Sequence, residues 1–234
     1  MALHAATVPA LSAIPGLVHG FEQRASGLPA ETREAGHARV SAELQGLGGR
    51  LLLLGQVHGA AVAFAPWEGR PEADAAVAAS PGWLLGIQTA DCLPVLLVDP
   101  KRRLVAAAHA GWRGTAAGVA GRAVEALITR GSRPEDLVAA LGPGIGPCCY
   151  EVGDEVREAF SPSGAAFFRP GPNGRPHLDL RAANARQLAD AGLLPEALHH
   201  VADCTRCRAD LYPSYRRDGR GAGRMISFVG FARA

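Results

Sequence analysis

Short apolar runs separated by glycine, proline and charged residues recur along most of the chain, a pattern that is typical of β-strands. Helical spacing of apolar positions is confined to a few longer segments. The predicted strands cover residues 51–57, 61–64, 83–88, 94–98, 104–108, 137–141 and 225–231. The chain is therefore predicted to be rich in short strands.

The clearest predicted helix lies within residues 115–131, where Thr115 is suited to the N-cap and Gly131 to the C-terminal stop. A second helix is predicted between an Asp179 N-cap and Gly192. Weaker helical patterns cover residues 28–44 and 150–160, and residues 161–177 are predicted to form a loop. Strands outnumber helices without alternating regularly with them, which favours an α+β sandwich over a doubly wound sheet.

Length and composition predict one globular domain spanning residues 1–234, since no repeat or linker divides the chain. Apolar runs are too short to span a membrane, and Pro9 and Pro15 interrupt the apolar N-terminal segment. The five cysteines suggest free thiols or metal ligands in a reducing cytoplasm. A formal net charge of +2 with scattered arginines predicts neither nucleic-acid nor membrane binding.

Two predicted strands flank the charged segment 99–103 and are expected to pair as a hairpin. Cys92 lies just before the first strand and His109 ends the second, so antiparallel pairing brings both to the same end. His58 also follows a strongly apolar run and precedes a glycine. The sequence therefore predicts that these three side chains cluster.

The residues alone leave three interpretations of this cluster open. Two imidazoles and a thiolate are a normal ligand set for zinc, with a fourth position open for catalysis, and copper(II) accepts the same donors. Alternatively, Cys92 is a nucleophile with His109 as its base and Asp91 or Asp74 as the orienting group. In the third interpretation, which spacing alone favours, Cys92 is a buried filler and the histidines bond to the backbone.

The remaining cysteines lie in two short segments. Cys148 and Cys149 follow a loop of three glycines that has the composition of an anion cradle but is more typical of a structural turn, and they are predicted to be packing residues. Cys204 and Cys207 have the spacing of half a zinc site or a redox motif. Because no second pair accompanies them in the sequence, a structural role is favoured.

Arginines near the C-terminus provide one further candidate. Arg216, Arg217 and Arg224 lie beside Tyr215 among glycines. Guanidinium groups bind phosphate through a planar fork, and a neighbouring aromatic face suits a nucleobase. A solvated basic loop is the alternative interpretation.

Several motifs follow one another along the chain: QVHG, EADAAV, TADCLPVLLVD, AAHAGWRGT, LGPGIGPCCYEVGDEV, DLRAANARQL, CT and SYRRDG with a later GR. Together they resemble the laccase-domain family of purine nucleoside phosphorylases, also called multicopper polyphenol oxidases or peptidoglycan editing factors. The resemblance runs from about residue 51 to residue 228.

This resemblance implies a single-domain α/β/β/α sandwich of four layers with mixed sheets. It also implies a metal, zinc or copper, bound by His58, Cys92 and His109. The implied substrates are purine nucleosides and phosphate: adenosine, inosine and S-methyl-5′-thioadenosine are cleaved to the free base and a ribose 1-phosphate. Adenosine deamination is an implied additional activity, and copper-dependent phenol oxidation is a further activity attached to the family.

On this hypothesis the metal activates water for deamination, and Arg113, Arg216 or Arg217 stabilises phosphate during phosphorolysis. Two rivals stay open: a metal-independent Cys92/His109 hydrolase, and a non-enzymatic binding module in which the cluster holds a structural zinc. The protein is expected to act as a monomer or weak homo-oligomer.

Overall fold

The computed structural model describes residues 3–24, 33–160 and 162–233. Its strands are β1 (Ala5–Ala6), β2 (Leu17–Glu22), β3 (Arg50–Leu53), β4 (Val62–Phe64), β5 (Ala75–Ala78), β6 (Trp83–Thr89), β7 (Leu93–Asp99), β8 (Leu104–Ala110), β9 (Val138–Leu141), β10 (Phe168–Pro170), β11 (Pro176–Leu178), β12 (Leu198–His200) and β13 (Met225–Phe231). Its α-helices are α1 (Pro9–Ser12), α2 (Arg33–Gly46), α3 (Trp112–Ala116), α4 (Val119–Ile128), α5 (Asp154–Ala159), α6 (Leu180–Asp190) and α7 (Tyr215–Asp218).

Two mixed sheets form the centre of the molecule. The first has the strand order β1-β2-β13-β6-β3 and the second β12-β9-β7-β8-β5-β4. Most neighbours are antiparallel, but β3 pairs parallel to β6, β4 to β5, and β9 to β12. The sheets pack face to face over a shared apolar core that includes Ile87, Leu96 and Val229.

A helical layer covers the outer face of each sheet. Val40 and Leu44 of α2 pack on Leu84 and Phe228 of the first sheet. Helices α4 and α6 cover the second sheet, with Leu127 among their buried residues. The order of layers is therefore α/β/β/α, which confirms the predicted fold class.

Strand β7 shows why the sequences of several strands are continuous apolar runs rather than alternating patterns. Its residues Val95 and Leu97 face the helical layer, whereas Leu96 and Val98 face the other sheet. A strand buried on both faces has no polar side to alternate with its apolar side. All seven residues of β7 are buried.

The predicted hairpin is confirmed. Strands β7 and β8 pair antiparallel, with Pro94 opposite His109. At the other end of the hairpin the Asp99 carboxylate accepts hydrogen bonds from the backbone N–H groups of Lys101 and Arg102, at 3.0 and 2.9 Å. These bonds close the charged turn and place Cys92 and His109 together at the opposite end.

Several boundaries differ from the prediction. The first predicted strand, 51–57, ends at Leu53, because the chain then leaves the sheet towards the site described below. Thr115 is not the N-cap of the long helix: it lies inside α3, and α4 follows Gly118, whose φ of 82° starts a new helix axis. The predicted loop 161–177 instead contains a 3-10 helix, Pro162–Phe167, and the hairpin of β10 and β11.

Other predictions agree more closely with the structure. Asp179 caps α6 by accepting the N–H of Ala182 at 2.9 Å, and Gly192 has a φ of 96° just beyond the helix. The helix predicted for 28–44 corresponds to α2, although residues 28–32 lie outside the described residues. Within the described part of the chain, no helix combines the length and apolar character needed to cross a membrane.

Candidate metal centre and neighbouring cleft

The structure brings His58, Cys92 and His109 together. One potential ligand atom from each lies within 4.8 Å of the others. The two imidazole rings meet edge to face, with centroids 4.8 Å apart and planes inclined by 70°. His109 is buried, Cys92 is half-buried and His58 is exposed, so the cluster opens to solvent on the His58 side.

The Asp74 carboxylate fixes the loop that carries His58. It accepts the backbone N–H groups of Val57, His58 and Gly59 at 3.1, 2.9 and 2.6 Å. His58 itself adopts a φ of 63°, which is uncommon outside glycine and is maintained here by these bonds. His58 therefore lies in an ordered loop beyond β3, and the prediction of a strand that runs up to His58 is wrong.

Asp74 also orients His109. Its Oδ1 lies 2.7 Å from His109 Nδ1, and both side chains are buried. The carboxylate has no proton to donate when ionised, so Nδ1 carries a proton and Nε2 is the ring nitrogen that faces Cys92 and His58. A carboxylate on the second ring nitrogen is the usual support of a metal-binding histidine. Of the two aspartates considered as orienting groups, Asp74 has this position.

The electrostatics of the cluster favour a thiolate. Burial alone raises the pKa of the Cys92 thiol, but the adjacent charge of His109 and hydrogen bonds from His109 and His58 outweigh burial and lower it below its usual value. Burial opposes the charged form of His109, yet Cys92 and Asp74 raise the pKa of its imidazole. A thiolate is the form of cysteine that binds metals and acts as a nucleophile.

Gly111 permits the close approach of these side chains. A Cβ atom at this position would lie 2.9 Å from Cys92 Sγ and 3.1 Å from His58 Cδ2. Gly111 immediately precedes α3, so the turn that follows His109 passes directly over the cluster. Any larger residue there would displace the thiol or the His58 ring.

The donor set fits a transition metal. Two imidazoles and one thiolate suit zinc, and the same donors suit copper. Three protein ligands are the number found in catalytic zinc sites, which keep a position for water or substrate. The exposed His58 lies at the side from which such a molecule would enter.

Arg216 is tied to the residue next to Cys92. Its backbone N–H donates to the Asp91 carboxylate at 2.6 Å, and Asp91 accepts the Thr205 hydroxyl at 2.7 Å through its other oxygen. The Arg216 guanidinium donates to the Glu151 carbonyl at 2.8 Å and lies 5.4 Å from the centre of the Tyr150 ring. Its side chain remains exposed, so it has N–H groups available for an anion.

The other two predicted arginines differ from Arg216. Arg113, in the first turn of α3, is exposed and stacks on Trp112, with its Cζ 4.2 Å from the ring centre. The Arg217 guanidinium instead donates to the Asp218 carboxylate and to the carbonyls of its surrounding loop: Thr205, Arg206 and Tyr212. These bonds give Arg217 a structural role in this conformation.

A cleft of about 250 Å³ includes Arg216 in its wall. The residues lining the cleft are Trp112, Tyr150, Glu151, Val152, Gly153, Glu155, Val156, Arg175 and Arg216. Tyr150 links the cleft to the cluster: burial and the nearby charges of Cys92 and Asp91 raise the pKa of its phenol well above the ordinary value. Tyr150 is therefore a neutral phenol in the wall of the cleft, close enough to Cys92 and Asp91 for their charges to act on it.

The remaining four cysteines also meet. Cys148, Cys149, Cys204 and Cys207 have their sulfur atoms within 4.8 Å of one another. The prediction that Cys148 and Cys149 are packing residues is confirmed for Cys149, which packs against the core between the second sheet and its helices, but not for the exposed Cys148. Both also meet the CxxC segment across a long sequence separation. The sequence signal was the adjacent pair Cys148 and Cys149, which did not count as a second pair above because it lacks the CxxC spacing of zinc motifs.

Sequence reasoning did not predict the cleft, although most of its lining residues lie in the motifs quoted above. Trp112, Glu151 with Glu155, and Arg175 come from three separate segments, and no sequence pattern predicts that these segments meet. Glu151 and Arg175 form an ion pair at 3.1 Å across one side of the cleft. Only the three-dimensional approach of the β10–β11 hairpin brings this arginine to the site.

Comparison with known proteins identifies the family. A model of the multi-copper polyphenol oxidoreductase laccase family matches residues 29–232. The match covers most of the chain, and the protein belongs to this family. The resemblance stated from the motifs is thereby confirmed.

Individual relatives carry more specific names. A Deinococcus radiodurans protein named purine nucleoside phosphorylase is 43% identical over 196 residues, which cover 84% of this chain and 76% of that protein. Adenosine deaminase RL5, from an unknown prokaryotic organism, is 40% identical over 160 residues, covering 67% of this chain and 61% of that protein. The crystal structure of YlmD from Geobacillus stearothermophilus aligns with a TM-score of 0.84 at 30% identity, covering 94% of this chain and 93% of that one.

Proposed function

We propose that this protein is a metal-dependent purine nucleoside phosphorylase. Its substrates are adenosine, inosine and S-methyl-5′-thioadenosine, which it cleaves with phosphate to the free base and ribose 1-phosphate or the methylthio analogue. Adenosine deamination is a second activity of the same site. The observation that carries the proposal is the cluster of His58, Cys92 and His109, oriented by Asp74 and open towards solvent. The names of the relatives support the choice of substrates.

His58, Cys92 and His109 hold the metal, which is zinc, with copper as the alternative. When bound, the metal would act as a Lewis acid, which lowers the pKa of water and polarises a substrate atom. His109 presents Nε2 because Asp74 holds its Nδ1 proton at 2.7 Å. The same carboxylate fixes the His58 loop, so the two imidazoles are oriented before the metal or the substrate arrives.

Arg216 and Arg113 bind the phosphate. Both are exposed arginines beside aromatic walls of the cleft, Tyr150 and Trp112. A guanidinium stabilises phosphate through parallel, charge-assisted hydrogen bonds. Arg217, whose guanidinium donates to four groups of its own loop, holds that loop in place instead.

The cleft offers a place for the nucleoside. Trp112 and Tyr150 present aromatic surfaces on which a purine can stack, and Arg216 faces the same space. Asp91 links this arginine to the strand end that carries Cys92. This link supports a site in which the phosphate-binding and metal-binding residues act on one substrate.

We infer that the activity resides in one domain, residues 1–234, acting as a monomer or weak homo-oligomer. The five cysteines are not joined by disulfides, which suits a reducing compartment such as the cytoplasm. The proposed substrates are purine nucleosides and phosphate, and no macromolecular partner is needed for the reaction.

Product analysis tests the proposal. Metal-analysed protein is incubated with adenosine, with and without phosphate, and the products are separated by chromatography. We expect adenine and ribose 1-phosphate only when phosphate is present, with a smaller phosphate-independent yield of inosine. Inosine as the sole product would replace the phosphorylase assignment with a deaminase, and unchanged adenosine would overturn both.

A second candidate function rests on the alignment of Cys92, His109 and Asp74. A thiolate, an imidazole and an orienting carboxylate are also the parts of a cysteine hydrolase. Alkylation by iodoacetamide separates the two functions. If zinc protects Cys92 from alkylation, Cys92 is a metal ligand. If chelator-treated protein hydrolyses amide or ester substrates, the hydrolase function is supported instead.

A further inference from the structure

We propose that Cys148, Cys149, Cys204 and Cys207 form a second metal site, which binds Zn²⁺ through four thiolates. All four sulfur atoms lie within 4.8 Å of one another. The Cys149 and Cys207 sulfurs are 3.4 Å apart, and those of Cys148 and Cys207 are 3.8 Å apart. We call these residues the four-thiol cluster.

The sulfur separations match the geometry of a tetrathiolate. With Zn–S bonds of about 2.3 Å, a regular tetrahedron has sulfur atoms about 3.8 Å apart. A disulfide joins its sulfur atoms at about 2.05 Å, far below the separations observed here. Small movements of the side chains are therefore sufficient to bind zinc.

The backbone around the cluster supports this assignment. The N–H of Gly146 donates to Cys204 Sγ at 3.2 Å, and such bonds stabilise a thiolate that is also a metal ligand. A Cβ at Gly146 would lie 3.3 Å from both Cys148 Sγ and Cys204 Cβ, so glycine allows the loop to approach the sulfurs.

The cluster joins two loops that are far apart in the sequence. Gly144 and Cys204 form an isolated parallel bridge, with the N–H of Thr205 donating to the Gly144 carbonyl at 3.1 Å. A metal bound just beyond this bridge closes a large loop of the chain, which stabilises the folded state by restricting the unfolded one. Cys148 and Cys207 are exposed, so a metal ion has direct access.

The position of the cluster gives it a second consequence, which rests on the proposed function. Cys149 is adjacent to Tyr150 of the cleft, and Cys204 is adjacent to Thr205, whose hydroxyl bonds to Asp91. Asp91 in turn accepts the N–H of Arg216. Zinc in the four-thiol cluster would therefore hold the loops that present Tyr150 and Arg216. Four protein ligands leave no open position, so this metal has a structural role.

Metal content tests the proposal without reference to activity. Protein is stripped with chelator under reducing conditions, loaded with zinc, desalted and analysed by inductively coupled plasma mass spectrometry. The Cys92→Ala variant removes the thiol of the first site, and Cys148→Ser/Cys207→Ser removes exposed thiols of the second. We expect two equivalents in the unaltered protein, one in each variant, and none in the triple variant.

Cobalt provides a readout that does not depend on how well the double variant folds. Co²⁺ added to Cys92→Ala should give the strong visible and sulfur-to-metal charge-transfer bands of a tetrahedral tetrathiolate, and zinc should displace them. Zinc should also raise the thermal midpoint of this variant. The experiment also separates the two proposals. If Cys92→Ala binds as much metal as the unaltered protein, Cys92 is not a metal ligand, but the four-thiol site still stands.

Two results would overturn the four-thiol site. One is a Cys92→Ala protein that retains no zinc and gives cobalt spectra without thiolate bands. The other is a disulfide between any two of the four cysteines in freshly purified protein, detected by mass spectrometry after alkylation without prior reduction.

Discussion

Asp74 Oδ1 lies 2.7 Å from His109 Nδ1 and also accepts the backbone N–H of His58 at 2.9 Å. One buried carboxylate therefore orients both histidines of the candidate metal centre, although they come from different parts of the chain. Burial alone raises the pKa of Asp74, but its bonds to His109 and to the His58 loop outweigh burial and lower it. The Asp74 carboxylate, around which the centre is assembled, therefore stays ionised at neutral pH.

Replacing Asp74 with asparagine tests this relationship. Loss of the charge weakens the bond to His109 and the hold on the His58 loop, so we expect metal affinity at this centre to fall about 10- to 100-fold. The measurement is zinc titration against a chromogenic chelator. Asp99→Asn is the matched control: Asp99 is equally buried and accepts backbone N–H groups, but it lies at the other end of β7, about 20 Å away. Unchanged affinity in Asp74→Asn would contradict the orienting role.

Gly111→Ala is expected to damage the same centre by steric contact. The added Cβ would lie 2.9 Å from Cys92 Sγ and 3.1 Å from His58 Cδ2. We expect at least about a tenfold loss of zinc affinity in the same titration. Ligand atoms displaced by a few tenths of an ångström no longer match the geometry that zinc requires. Gly121→Ala is the control, because nothing lies within 4 Å of a Cβ there and it is within α4. Gly121→Ala should leave the zinc affinity unchanged and stabilise the folded protein by about 0.5–1 kcal/mol, because alanine favours a helix over glycine.

Arg216→Ala tests the phosphate site. Loss of a charge-assisted contact is expected to raise the KM for phosphate by about tenfold or more, with a smaller effect on the KM for adenosine. Initial rates at varied phosphate concentration give both constants. Arg220→Ala removes an exposed arginine from the same segment and should change neither. An equal loss in the two variants would indicate a general effect of surface charge.

His19 predicts how stability depends on pH. It is buried and its Nε2 accepts the N–H of Val8 at 3.0 Å. Burial lowers the pKa of His19 to about 4, against 6.5 for an unperturbed imidazole. Below pH 6.5 the unfolded chain therefore takes up a proton at His19 while the folded protein does not. The contribution of neutral His19 to the free energy of unfolding is present above pH 6.5 and is lost as pH falls towards 4.

Chemical denaturation at several pH values measures this effect. Relative to His19→Gln, which does not titrate, the unaltered protein should lose up to about 1.4 kcal/mol of its free energy of unfolding per pH unit between pH 6.5 and 4. The difference between the two proteins removes the contribution of other groups. Parallel pH profiles for the two proteins would show that His19 is not the group responsible.

The hairpin of β7 and β8 could be predicted because two apolar runs flank one charged turn, which fixes which strand ends meet. Cys92 and His109 followed from that pairing alone. Strand β5 was missed because AAVA lacks the β-branched and aromatic residues typical of strands. Its alanines are buried on both faces, with Ala75 towards the helices and Ala76 towards the other sheet, and the close packing there favours small side chains.

The position of His58 and the four-thiol cluster depended on contacts that sequence patterns do not encode. His58 owes its conformation to the carboxylate of Asp74, a residue that enters from the start of another strand. Cys148 and Cys149 meet Cys204 and Cys207 only because the loop at Gly144 pairs with Cys204. Local periodicity predicts elements and neighbouring strands, whereas these sites require the register of segments that are distant in the chain.

The most direct test of the central claim is whether phosphorolysis requires metal at His58, Cys92 and His109. Protein stripped of metal is supplied with zinc or copper, and phosphate-dependent release of adenine from adenosine is followed, with Cys92→Ala as the comparison. We predict no adenine from stripped protein, recovery on addition of metal, and no recovery in Cys92→Ala. Full adenine release by the metal-free protein, or by Cys92→Ala, would contradict the account.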